Sequence, residues 1–341
     1  MATGKLSTCL LSLALLSPVA VNAANLMYVP TGEANDLVVI DPNTDKIVSR
    51  IGELENAHGL AGSAKSEYLV AGSMKVSEAA SLGATAKPAV GSSEIPANNS
   101  SYVSIIHPKH GHVTRRVLVR GITHHTAVSP DGQYAIAVHA GAGGISVIDL
   151  ERAEVVKEVQ TGRSPNYAIF AADGSRLYVS NVFSGTVSEL DAADWSIKRT
   201  FEVGREPEHL ALTPDGLTLF IINVGDKQVA VLDLKTAVVT ERYAVGSQAH
   251  GLALSADGRG LFVSSQGDGK LVNINLKDGA QRTLDLQPAP YHVEYVGAVN
   301  KLYVSSRKEP KIWVIDPQSL TVRGDIAIGK GVAHQMVVLD Q

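Results

Sequence analysis

An internal repeat with a period of about 42 residues constrains this chain more than any other feature. Successive units start at Gly162, Gly204 and Gly246, and others begin near Glu55, Gly121, Pro288 and Gly329. In the Gly204 unit, Gly204-Arg205-Glu206-Pro207-Glu208-His209 leads into an apolar run from Leu210, followed by the turn Pro214-Asp215-Gly216. Leu219-Phe220-Ile221-Ile222-Asn223, Val229-Ala230-Val231-Leu232-Asp233 and Arg242-Tyr243-Ala244-Val245 complete it. Short Val-, Leu- and Ile-rich runs between Pro, Asp and Gly turns read as strands, not helices. Four strands per unit of this length predict a β-propeller blade. Six complete units cover 55–328. The stretch 329–341 offers one further strand around Met336 to Leu339, and the N-terminal runs at Met27-Tyr28-Val29, Leu37 to Ile40 and Ile47 to Ile51 offer the other three. The predicted fold is therefore all-β: a seven-bladed β-propeller of four-stranded blades, closed by N- and C-terminal strands in one blade. A closed ring leaves no unpaired edge between first and last blades.

Residues 1–23 read as a cleaved signal peptide. Lys5 supplies the positive start, Leu10 to Leu16 a short apolar stretch, and Val21-Asn22-Ala23 a small-residue cleavage site. That apolar run is too short to span a bilayer, and no later segment is long and apolar enough. The expected domains are a signal peptide, 1–23, and a single propeller, 24–341, located in the periplasm. The only cysteine, Cys9, falls within the signal, so neither a disulfide nor a thiolate ligand is expected in the propeller. A formal net charge of −4 argues against nucleic acid as a partner. Residues 74–100, poor in large apolar side chains, interrupt the repeat as a b-to-c insertion expected to cover the channel mouth.

Histidine recurs at one place in the repeat, just before the first apolar run: His58, the pair His124-His125, His209, His250, His292 and His334. The third repeat has Asn166-Tyr167 there instead. The start of the innermost strand lies at the mouth of the central channel, so six of seven blades offer imidazole near one axis. Imidazole is the commonest protein metal ligand. The histidines stand in two registers one residue apart, which leaves open whether all point inward. His58, His124, His250 and His334 form the first set of ligands to test, with Met336 a core residue or a further thioether ligand. A second group, His107, His110 and His112, occupies a c-to-d turn on the opposite face, either as a possible secondary metal site or as a solvated loop. His139 ends a second strand, further from the axis. No nucleophile elbow, phosphate loop or zinc-protease motif appears, and no catalytic residue is assigned.

Leu177-Tyr178-Val179-Ser180-Asn181, Leu302-Tyr303-Val304-Ser305-Ser306 and the Gly-x-x-Pro…Leu-Ala-Leu-Thr-Pro-Asp-Gly framework resemble the YVTN-repeat β-propeller family over nearly the whole expected domain. The histidine-lined channel looks like that of the nitrous oxide reductase copper-cluster propeller. That enzyme's electron-transfer domain has no counterpart in this sequence, so the resemblance implies an external electron donor. It also looks like the channel of periplasmic zinc metallochaperone propellers, and is similar to haem-binding propellers of nitrite reductases and their assembly factors. These resemblances imply copper or zinc at the mouth, or a haem with one histidine as axial ligand. They further imply a metal carrier, chaperone or accessory factor, with a periplasmic metal transporter or redox protein as partner. Two readings stand beside them. One is an interaction scaffold with a structural histidine ring, as in WD-repeat propellers. The other is a lactonase-like hydrolase, for which Glu55, Glu206, Glu208 and Glu294 are the nearby carboxylates.

Overall fold

The computed structural model describes residues 25–77 and 100–339. The expected signal peptide and all but the ends of the 74–100 insertion lie outside these described residues. The strands assemble into seven four-stranded antiparallel sheets arranged as a propeller ring. In six blades the strands follow in sequence. The first has Ala57–Ala61, Leu69–Ser73, Ser100–His107 and His112–Arg120. The fourth has Pro207–Leu212, Thr218–Asn223, Gln228–Asp233 and Val238–Ala244. The seventh joins the chain ends. Val337–Leu339 pairs with Leu26–Pro30, with Tyr28 opposite Val337 and Leu26 opposite Leu339, and Leu37–Asp41 and Lys46–Ile51 follow outward.

Burial explains the composition of each strand. Second strands such as Thr218–Asn223 are packed on both faces by neighbouring blades, so they read as continuous apolar runs. Outermost strands such as Val238–Ala244 lie at the rim and carry mostly exposed side chains. The core is divided into seven clusters, one at each joint between blades. Met27, Val38 and Ile40 pack on Tyr303, Ile312 and Val314 of the preceding blade. Tyr28 and Leu37 pack on Leu60 and Leu69 of the following one. Each large side chain buried this way contributes about 1.5–3 kcal/mol.

Two faces follow from the connections. Second-to-third-strand connections hydrogen-bond to the residue leading into each first strand: Met74 N–H to the Asn56 carbonyl, Val182 to Ser164, Val224 to Glu206 and Gln266 to Gln248. These lie on the mouth face. The opposite face carries the remaining turns, where Ser63, Ser66 and Glu67 share a cleft with His107 and His110.

A histidine cluster at the channel mouth

Five of the seven innermost strands begin with a β-bulge in which two residues oppose one. Ala57 pairs with Ser73 and Leu60 with Ala71, leaving His58-Gly59 opposite Gly72 alone. The same shift leaves Asn166-Tyr167, Glu208-His209, His250-Gly251 and Tyr291-His292 as bulge pairs. In the second blade Val138 exchanges hydrogen bonds with both His124 and His125. In the seventh, the His334 N–H donates to the Pro30 carbonyl ahead of the ladder that starts at Val337. A bulge re-aims side chains and leaves one residue out of the ladder. In three blades a serine of the second strand accepts the bulge N–H: Ser180 from Tyr167, Ser264 from Gly251 and Ser305 from His292, at 2.9–3.1 Å.

The two registers of histidine are thus the first and second residues of the bulges, and all seven rings meet. His58 lies 4.2 Å from His334, 4.4 Å from His124 and 5.6 Å from His292 between ring centroids. His209 lies 4.2 Å from His250 and 4.7 Å from His125. Three triads bring one nitrogen from each member within 4.8 Å of the others: His58-His292-His334, His58-His124-His125 and His125-His209-His292. His250 belongs to none, so the set His58, His124, His250 and His334 is not itself a converging group. The second-register His125, His209 and His292 sit deeper and converge instead.

Tyr167 fills the break in the histidine series. Its hydroxyl accepts a hydrogen bond from Gln335 Nε2 at 3.1 Å, linking the third and seventh blades across the channel. Glu294 acts on it electrostatically, and burial pushes the Glu294 carboxyl up to about 8. On the solvent side the cluster opens into a cleft of about 310 Å³ bordered by His124, Asn166, Glu208, His250, Tyr291 and Arg307.

Burial holds the imidazoles neutral. His58, His125, His209, His250 and His292 are depressed well below the usual histidine range, first by desolvation, and for most by neighbouring rings. His124 is lowered too, and His334 falls to about 3. Desolvation and hydrogen bonding also explain the ring directions. His125 Nδ1 donates to the Asn166 carbonyl at 3.0 Å, so its Nε2 is the acceptor and takes a hydrogen bond from His209 Nε2 at 3.1 Å, a spacing that one metal ion could also bridge. Two nitrogens on one metal at about 2.0–2.1 Å lie roughly 2.9–3.4 Å apart for bond angles between square and tetrahedral. His250 Nδ1 faces Glu208 at 3.4 Å, the carboxylate-to-histidine support common behind metal ligands. His58 Nε2, His124 Nδ1, His250 Nε2, His292 Nε2 and His334 Nδ1 are buried with no hydrogen-bond partner among the described residues.

The remaining candidates fall elsewhere. Met336 packs in the core with Met27 and Tyr303. His139 is satisfied by Ser146 Oγ at 2.7 Å and the Ile122 carbonyl at 3.2 Å, away from the cluster. His107 and His110 stack at 4.1 Å and His112 lies 6.1 Å from His110, and these three form no converging triad. The sequence marks Tyr167 as the residue standing in the histidine position of the third repeat; the histidine pattern does not signal Gln335 and Arg307.

Comparison with known proteins agrees on the fold. A family described as "Domain of unknown function (DUF7165)" matches residues 119–274, less than half of the chain. No curated protein matches the sequence. Among solved structures, hydrazine synthase of Kuenenia stuttgartiensis superposes with a TM-score of 0.68 at 17% identity, covering 85% of this chain and 97% of that one. A functionally unknown protein from Desulfotomaculum acetoxidans DSM 771 gives 0.70 at 13% identity, covering 93% and 99%. The dihydro-heme d1 dehydrogenase NirN in complex with DHE gives 0.66 at 15% identity, covering 94% and 68%. No helix among the described residues is long and apolar enough to cross a membrane.

Proposed function

We propose that this chain is a metal-binding propeller of the YVTN-repeat kind that holds copper or zinc among its channel histidines. It acts as a metal carrier or as an accessory factor to a metal-transfer or redox partner. A signal peptide cleaved after Ala23 directs export to the periplasm, with 24–341 forming the domain. The observation that carries this reading is the set of five buried, unpartnered imidazole nitrogens within one cluster of neutral rings. Each orphaned polar atom costs about 1–3 kcal/mol. A histidine ring serving structure alone would close those bonds inside its blades, as His139 does. A bound cation satisfies several at once, and neutral imidazole is the form that binds it. An all-imidazole donor set suits copper and zinc. Any two of the three triads share a histidine, so they describe one ion or one bridged cluster, never two independent sites.

The test is metal analysis after loading and dialysis, with circular dichroism to confirm folding. Replacing His58, His125 and His292 with Ala leaves at most one ligand in every triad and is expected to lower affinity at least 100-fold. Replacing His124, His250 and His334 leaves His125-His209-His292 intact and is expected to retain metal. Equal metal content in the wild type and the first variant overturns the reading. A haem over the mouth is the second reading, supported by the fold shared with NirN, whose structure is a complex with DHE, and by His124 and His250, the two cluster histidines that border the cleft. A visible absorption spectrum after haem addition separates the two.

A further inference from the structure

The cluster offers a cation neutral ligands and little counter-charge. Glu208, 3.4 Å from His250 Nδ1, is the one carboxylate among the described residues that borders the mouth cleft, and Glu294, in electrostatic contact with Tyr167, has its carboxyl raised by burial. A divalent ion in this cage carries a charge whose burial is costly unless an anion accompanies it. The mouth cleft contains what an anion needs. Arg307 is exposed, rests its guanidinium over the Tyr291 ring at 5.2 Å and forms no ion pair among the described residues. Arg307 also hydrogen-bonds the Tyr291 side chain, which stacks on His250 at 4.1 Å, so this cation, unpaired with any carboxylate, is coupled through one ring to the cluster. Asn166, only 9% exposed, borders the same cleft and has a buried Oδ1 without a partner. A guanidinium recognises a planar oxyanion through two parallel hydrogen bonds. The lone Asn166 acceptor calls for a ligand that also carries an O–H.

We propose that the cleft between Arg307 and Asn166 binds a small carbon oxyanion of the bicarbonate or short-carboxylate class, which caps the metal from the solvent side and, together with Glu208, offsets its charge. This rests on the metal-binding reading for its purpose but not for its detection. Copper(II) and zinc affinities are measured by equilibrium dialysis at fixed ionic strength in a chloride-free, non-coordinating buffer, with bicarbonate, acetate or neither. Bicarbonate is expected to tighten wild-type metal binding about tenfold, within the usual range for coupled sites. Acetate, which lacks the O–H, is expected to do less, and a larger effect of acetate assigns the site to short carboxylates. In Arg307→Gln the gain from either anion is expected to fall below about twofold, and Arg307→Lys, which keeps charge but loses the fork, is expected to lie between. No anion response in the wild type, or an equal response in Arg307→Gln, overturns the proposal. If the wild type binds no metal, the metal-binding reading fails on its own. The anion site is then read from histidine ring NMR signals of the metal-free protein during bicarbonate titration. Shifts at His124 and His250 that vanish in Arg307→Gln sustain it, and their absence overturns it.

Discussion

Seven imidazoles within van der Waals reach of one another are stable only as neutral rings. Their depressed basicity, shared by His139 at about 4, makes the fold sensitive to acid. An unfolded histidine takes up its proton near pH 6.5, whereas the folded rings resist until much lower pH. Between those limits the unfolded state binds more protons, so stability is complete above about pH 6.5 and is lost as pH falls toward the folded values. Glu294 acts oppositely. Its folded carboxyl is raised to about 8, so it favours the folded state below its unfolded value and loses that contribution as pH rises. Burial raises Glu158 and Glu208 in the same direction, and eight imidazoles outweigh these three carboxyls. The urea midpoint of the metal-free protein is therefore expected to fall from pH 7 to pH 5, each ring adding up to about 1.4 kcal/mol per pH unit. A flat profile contradicts the buried, neutral cluster.

The bulge is the element that makes the site. Histidine positions were legible in the repeat, and so was their offset by one residue, which left the ring directions open. That offset is resolved by a backbone feature: where two residues oppose one, both can approach the axis. Nothing in residue identity announces a bulge until the serines at 180, 264 and 305 are seen capping its spare N–H. Glycine at the second bulge position marks close approach of the next blade. A Cβ on Gly251 would stand 2.6 Å from the Tyr291 carbonyl oxygen and the Val293 nitrogen. Gly251→Ala is expected to destabilise the protein by about 1–3 kcal/mol in urea unfolding, the cost of overpacking a tight contact, and to weaken metal retention by displacing His292. Gly324→Ala, with nothing within 4 Å of the added atom, serves as the control and is expected to change stability by less than about 0.5 kcal/mol.

Closure operates on the whole molecule. The three-residue strand Val337–Leu339 covers the inner edge of Leu26–Pro30, and Met336 and Leu339 are buried in the two joints flanking that blade. Removing residues 336–341 exposes a strand edge and leaves cavities worth about 2–5 kcal/mol for each lost side chain. The truncated chain is expected to unfold at markedly lower urea and to aggregate by light scattering. A midpoint within experimental error of the wild type contradicts closure by this strand.

The blade count, the joining of the chain ends and the place of histidine in six of the seven blades were determined by the sequence alone, because alternating burial and turn chemistry repeat with a fixed period. Only the tertiary structure decided which imidazoles converge, that Tyr167 reaches Gln335 across the axis, and that Arg307 overlooks the cluster. Those contacts join residues from blades far apart in the chain, and their distances are set by how the closed ring brings seven inner strands around one axis.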